Sequence, residues 1–250
     1  MSKETKKWWE ETSAVYQKQS AIAPGIHYGP GAPYEDELKL LGDLEGKHIL
    51  EIGCGGAQCG IAMAKKGAHV TGVDISEEQL KFAKTLAKKS NVNITFYRGD
   101  IKKLPQIKSA SQDVVFTAWA MQYVDPLDSC FREVYRILKK NGIFILAMPH
   151  PTYHTVNYKN LKLHESYFVT GKKVEPVKWK DGTIHNFVCY ERTFSEITNA
   201  LITSKLIIEQ VIEPDSRKHY KKDPWYNMWH FTPKLMKYLP PTIIFKCRKR

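Results

Sequence analysis

The chain has 250 residues, 42% of them hydrophobic and 26% charged, which excludes a disordered or fibrous protein. No apolar run approaches the ~18 residues of a membrane span, and the amino terminus from Met1 to Trp9 lacks the apolar core of a secretory signal. Five cysteines (Cys54, Cys59, Cys130, Cys189, Cys247), odd in number and without a CxxC pair, predict reduced thiols in a cytoplasmic protein with no metal scaffold, while 38 basic against 26 acidic residues leave a net charge of +12.

Residues 1–46 read as a helical cap, with a helix around Lys7–Gln17, a Pro/Gly break from Ala23 to Pro33, and a short helix near Tyr34–Leu41. From Lys47 strands and helices alternate. His48–Ile52 reads as a buried strand, Ala57–Lys66 as a helix, and Ala68–Val73 as the second strand. Ser76 with Gln79 three residues on predicts a capping box opening a helix striped by Leu80, Ala83 and Ala87. Val92–Tyr97 and Asp113–Thr117 are the third and fourth strands. Asp125-Pro126 opens a helix with Leu127, Phe131, Val134 and Leu138 on one face; Asn141-Gly142 ends it before a fifth strand at Ile143–Met148.

Such alternation predicts βαβ units, here a Rossmann-like seven-stranded, mostly parallel sheet with helices on both faces. Residues 47–148 form the core of this reading and residues 149–192 an aromatic, irregular lid inserted after the fifth strand. Residues 193–250 supply a helix at Thr193–Thr203, a strand at Leu206–Ile212, a basic excursion over 213–239 and a last strand at Thr242–Lys246. The whole is read as a single domain.

Glu51-Ile52-Gly53-Cys54-Gly55-Gly56-Ala57-Gln58 leaves the first strand and enters a helix. Glycines there let the backbone turn sharply and approach a ligand closely. A dinucleotide fingerprint requires a third glycine at position 58, where the chain has Gln58. Glu51 would set a carboxylate beside a pyrophosphate; it suits instead a ligand carrying an ammonium and a sulfonium, as S-adenosylmethionine does.

These residues resemble the first motif of the class I S-adenosylmethionine-dependent methyltransferases, and within them the methyltransferase type 11 proteins, with Ala57 where a third glycine is usual. The likeness covers residues 26–148 well and the remainder more loosely. It implies that Asp74, 21 residues after Gly53, accepts hydrogen bonds from both ribose hydroxyls with Ile75 beside it. It implies an adenine site at Asp100 and Ile101, and a methionine end lined by the segment Ala118–Val124, including Trp119, Gln122 and Tyr123. It also implies that Tyr28, in Tyr28-Gly29, closes over the cofactor's carboxylate.

An acceptor hydroxyl, ammonium or thiol must lose a proton, which calls for a base. His150 follows the fifth strand in a His-Pro pair also met in similar enzymes, with His185 and Tyr190 as further candidates. Tyr153 and Tyr167 belong to an aromatic-rich stretch suited to a lid over an acceptor pocket. Neither an Asn/Asp-Pro-Pro-Tyr/Phe motif nor a Pro-Cys nucleophile is present, which disfavours nucleobase methylation.

A small-molecule acceptor is therefore expected, with no membrane partner. The charge keeps a protein or RNA acceptor open. Residues 1–150 hold 20 basic and 17 acidic side chains, net +3, and the last hundred hold 18 and 9, net +9. Arg217–Lys222 and Lys246–Arg250, interleaved with Trp225, Tyr226 and Trp229, would fit a polyanion or an acidic peptide.

Overall fold

A computed structural model describes residues 1–218, 224–225 and 231–250. Seven strands form one sheet in the order β3-β2-β1-β4-β5-β9-β8, built from β1 (His48–Ile52), β2 (His69–Asp74), β3 (Ile94–Arg98), β4 (Gln112–Ala118), β5 (Leu138–Pro149), β8 (Ile207–Ile212) and β9 (Thr242–Arg248). The first five pair in parallel, whereas β9 runs antiparallel to both β5 and β8. This is the Rossmann-like architecture expected. The chain passes outward from β1 to β3 and returns to β4 on the other side of β1, so the crevice at the carboxyl ends of β1 and β4 is the topological switch point where such sheets bind ligands.

Central strands are apolar on both faces because helices cover both. On one side Leu50, Ile52, Val115, Phe144 and Leu146 pack against Leu127, Phe131 and Val134 of α5 (Leu127–Ile137) and Ile197 and Leu201 of α6 (Phe194–Thr203). On the other, Ile49, Val114, Phe116 and Ile145 meet Cys59 and Met63 of α3 (Gln58–Lys65), with Leu40, Leu41 and Tyr28 from the lead-in segment. All five cysteines are buried and free.

Three local expectations give way. The helix α5 stops at Ile137, four residues before Asn141, because Leu138 already pairs with Gln112 and starts a longer β5. The segment read as an irregular lid contains an antiparallel hairpin of β6 (Gly171–Lys178) and β7 (Ile184–Glu191). Its turn is Asp181-Gly182, with Gly182 at φ +89°, a dipeptide that marks hairpins when read with its flanking alternation. The capping box before α4 (Glu77–Lys89) is half formed: Ser76 accepts from the Gln79 amide, but the Gln79 side chain is drawn elsewhere.

The drawing element is α1 (Lys3–Ser20), which lies over the carboxyl ends of the strands. Gln17 donates to Gln79 of α4 and accepts from Gln58 of α3, each at 2.8 Å. Glu10 pairs with Arg98 at the end of β3 at 3.3 Å, and Trp9 meets Tyr123 edge-on at 5.5 Å. Trp8 packs on Trp179 and Phe187 of the hairpin. Helix α1 and the hairpin thus form one roof.

Candidate functional site

The turn after β1 is held by its backbone and by two acids. Gly53 has φ +66°, and a Cβ there would stand 2.2 Å from that of Ala120, so only glycine allows this approach of β1 to the segment after β4. Gly55 and Ala57 share the left-handed region at φ +51° and +57°. Ala57 adopts it with a side chain, which accounts for glycine being usual at that position. Asp74, at the end of β2, accepts from the amides of Gly55 and Ser76, each at 2.9 Å and on different oxygens. Each oxygen keeps capacity for a further donor.

Glu51 is buried and accepts from the amide of Gly60 at 2.9 Å. Neither Glu51 nor Asp74 has a cationic partner among the described residues, and burial pushes their carboxyls up to about 8 and about 6 respectively. A cleft of about 100 Å³ lies between them, walled by Gly53, Gly55, Ile75, Ile101, Ala118 and Tyr123, and roofed by Trp9, Tyr16 and Gln17. Buried carboxylates without cations suit a ligand that brings its own positive charge together with hydroxyl donors, which is the chemistry of an aminoacyl-sulfonium nucleoside.

Not every residue expected here faces the cleft. Tyr28 is fully buried beneath the sheet, and its hydroxyl donates to Glu35, which also accepts from the amides of Leu40 and Leu41. The expectation that it reaches a cofactor carboxylate is thereby overturned: Tyr28-Gly29 orders the lead-in segment, and the absence of a side chain at Gly29 makes room for Trp119. Asp100 pairs with the Met1 ammonium and accepts from the Lys102 amide at 3.0 Å.

Beyond Tyr123 the cleft meets a larger cavity of about 520 Å³. Trp9, Tyr16, Trp119, Tyr123 and Trp225 line both. Trp119 sits at φ +60°, a costly conformation for an aromatic residue, and is held there by bonds from its amide to Ala147 and from Nε1 to Thr242. Gln122, Tyr153 and the base candidate Tyr190 line the large cavity, with Phe187, Trp179 and Phe231 adding to its aromatic wall.

The base candidates fare differently. His150 lines the cavity, but its Nδ1 accepts from the Thr152 amide at 3.2 Å, so Nε2 carries the proton and donates to Glu213 at 2.7 Å. Both nitrogens are engaged. His185 contacts Glu11 of α1 at 3.1 Å and lies outside the cavity lining. The Tyr167 hydroxyl accepts from the Phe194 amide at 2.7 Å, where it caps α6 and not the pocket. Sequence reasoning passed over His154 and Glu191, both in the lining, with Nδ1 of His154 3.0 Å from Oε2 of Glu191. It likewise passed over Gly60 and Gln17, whose roles depend on contacts distant in sequence.

Among the described residues no helix is long and apolar enough to cross a membrane. In the basic excursion Arg217 pairs with Asp215, and near the carboxyl terminus Arg248 pairs with Glu209. His219–Lys222, Tyr226 and Trp229 lie outside the described residues.

A family model described as a methyltransferase domain matches residues 43–228. An uncharacterized protein of Haemophilus influenzae is 28% identical over 222 residues, covering 85% of each chain. A ubiquinone biosynthesis O-methyltransferase of Acinetobacter baumannii is 27% identical over 218 residues, covering 86% of this chain and 84% of its own. The crystal structure of an S-adenosylmethionine-dependent methyltransferase from Mesorhizobium loti superposes with a TM-score of 0.64 at 26% identity, over 85% of this chain and 95% of its own.

Proposed function

Because the chain belongs to the methyltransferase-domain family and is a class I S-adenosylmethionine-dependent methyltransferase, we propose that it methylates an O, N or S nucleophile of a small molecule. The observation that carries this reading is the aromatic cavity of about 520 Å³ sharing five side chains with the cofactor cleft. Its volume falls in the range of small-molecule pockets, roughly 300–1,000 Å³, and it is roofed by α1 and the hairpin. The curated relative from Acinetobacter baumannii carries a small-molecule O-methyltransferase name, which supports the same class.

In this reading the chain acts as one domain. Glu51 and Asp74 hold the cofactor's ammonium and ribose, Gly53 and Gly55 let the backbone approach it, and Ile75 and Ile101 flank the adenine. When bound, the cofactor supplies a methyl group on a sulfonium and leaves as S-adenosylhomocysteine. Trp119 and Tyr123, common to both cavities, orient the acceptor against that methyl, and much of the rate comes from this alignment.

Incubation with cofactor labelled in its methyl group and cell extract, followed by separation of small-molecule, protein and RNA fractions, tests the proposal. Label is expected in the small-molecule fraction. Label confined to protein or RNA would overturn it in favour of acceptors recruited by the basic carboxyl-terminal surface.

A further inference from the structure

The lining of the large cavity includes two buried hydrogen-bond acceptors that nothing among the described residues satisfies. Oε1 of Gln122 and Nε2 of His154 are both without a partner among the described residues, and both side chains line the cavity. Buried polar atoms are nearly always paired, so these two acceptors, with the likewise unpartnered Nε1 donor of Trp8 in the same lining, call for a ligand that brings donors as well as an acceptor.

His154 is more than an acceptor. It lies in the 3₁₀ turn Tyr153–Thr155, and its Nδ1 stands 3.0 Å from Oε2 of Glu191 at the end of β7. A carboxylate can only accept, so this contact favours the tautomer with the proton on Nδ1 and the lone pair on Nε2. Glu191 is in turn 3.9 Å from the Lys173 ammonium of β6, which is 3.0 Å from Glu165. The groups that face the imidazole are therefore Glu191, Lys173, Glu165 and His164. Burial, with Lys173, holds His154 below the usual histidine range, so the ring is neutral at pH 7.

Resting on the small-molecule reading above, the geometry points to a protic acceptor, a hydroxyl or an amine, whose proton passes to Nε2 of His154, with Glu191 as the positioning residue. The acceptor's X–H bond breaks toward Nε2, whose lone pair takes the proton. The pair left on X forms the bond to the methyl carbon, and the carbon–sulfur pair returns to sulfur. The resulting imidazolium keeps its Nδ1 proton beside Glu191, whose negative charge stabilises it. Oε1 of Gln122 accepts a second donor and fixes the acceptor's orientation. His150, with both nitrogens engaged, has no lone pair to offer.

Nitrogen-15 NMR of the histidine-labelled full chain with S-adenosylhomocysteine, compared with His154→Gln for assignment, reads the tautomer directly. At pH 7.5 Nε2 of His154 is expected as an unprotonated nitrogen and Nδ1 as protonated. In Glu191→Gln the two tautomers should mix and the imidazole should titrate at lower pH, because a stabilising negative charge is gone. A proton on Nε2 at pH 7.5 overturns the proposal, whichever acceptor the enzyme uses.

A panel of simple probes (catechol, phenol, benzylamine) read by S-adenosylhomocysteine release supplies the second arm. For any probe turned over, His154→Gln should lower kcat at least about 100-fold with S-adenosylhomocysteine affinity unchanged. In Glu191→Gln the acidic limb of the kcat/KM profile should move to lower pH. His154→Gln turnover within threefold of wild type overturns the role. Because the NMR arm needs no turnover, its failure is distinguishable from failure of the small-molecule reading.

Discussion

The amide of Gly60 donates to Oε2 of Glu51 at 2.9 Å, and a Cβ at Gly60 would stand 2.5 Å from that same oxygen. A glycine inside α3, where the residue type weakens a helix, thus fixes the carboxylate expected to meet the cofactor's ammonium. Gly60→Ala should displace Glu51 and weaken S-adenosylhomocysteine binding. A hydrogen bond to a charged group contributes about 1.5–3 kcal/mol, so calorimetry should show a loss of tenfold or more, with the circular dichroism spectrum unchanged. Undiminished affinity would remove Glu51 from the ligand.

Burial holds the Glu51 carboxyl up at about 8 and that of Asp74 at about 6. A raised carboxyl binds more protons folded than unfolded, so each opposes folding as pH rises from the unfolded pKa near 4 through its folded value. The ligand-free protein should therefore lose stability from about pH 5 to pH 8, measured as a falling Tm. A cationic ligand reverses the preference, since it needs the ionised forms. Cofactor affinity should rise between pH 6 and pH 8 by at most tenfold per unit, with proton release visible in buffers of differing ionisation enthalpy. Glu51→Gln should flatten the upper part of that rise.

Asp74 shapes the turn as well as the ligand site, because it accepts from both Gly55 and Ser76. Asp74→Ala should lower Tm by several degrees and weaken S-adenosylhomocysteine binding at least tenfold. Adenine alone, which has no ribose, should bind both proteins within a factor of a few.

Helix α1 roofs the cleft of about 100 Å³ through Trp9, Tyr16 and Gln17. Passage of a ligand beneath α1 would break the bonds of Gln17 to Gln58 and Gln79. Gln17→Ala should speed both association and dissociation of S-adenosylhomocysteine in stopped flow, and expose the α1 segment to limited proteolysis. Unchanged rates would mean that the ligand enters by another route.

Tyr28 supplies the converse test. Its hydroxyl donates to Glu35 within the core, so Tyr28→Phe should cost about 0.5–1.5 kcal/mol of stability and leave S-adenosylhomocysteine affinity within twofold. A large affinity loss at unchanged Tm would restore the cofactor role that the sequence suggested.

Much of the fold was legible because periodicity reports burial. Strands β1, β2 and β4 are buried on both faces and read as apolar runs, and Ser76 marked the start of α4 through its own side chain. The glycine turn was legible for the same reason: Gly53 and Gly55 are required by backbone angles that a residue type reveals. The hairpin of β6 and β7 was not, since β6 is exposed along most of its length and carries lysines where a buried strand would carry apolar residues. Its Asp181-Gly182 turn was the available signal.

By itself the sequence determined the sheet and the cofactor class, because each depends on residues and their near neighbours. Only the tertiary structure decided which of His150 and His154 keeps a ring nitrogen without a partner among the described residues. His150 and His154 are four positions apart, and the sequence pointed to the first as the base. Thr152 and Glu213 occupy both nitrogens of the first, while Glu191, 37 residues beyond His154, orients the second and leaves Nε2 bare. Glu213 and Glu191 come from elsewhere in the chain, and no local pattern encodes which histidine each meets.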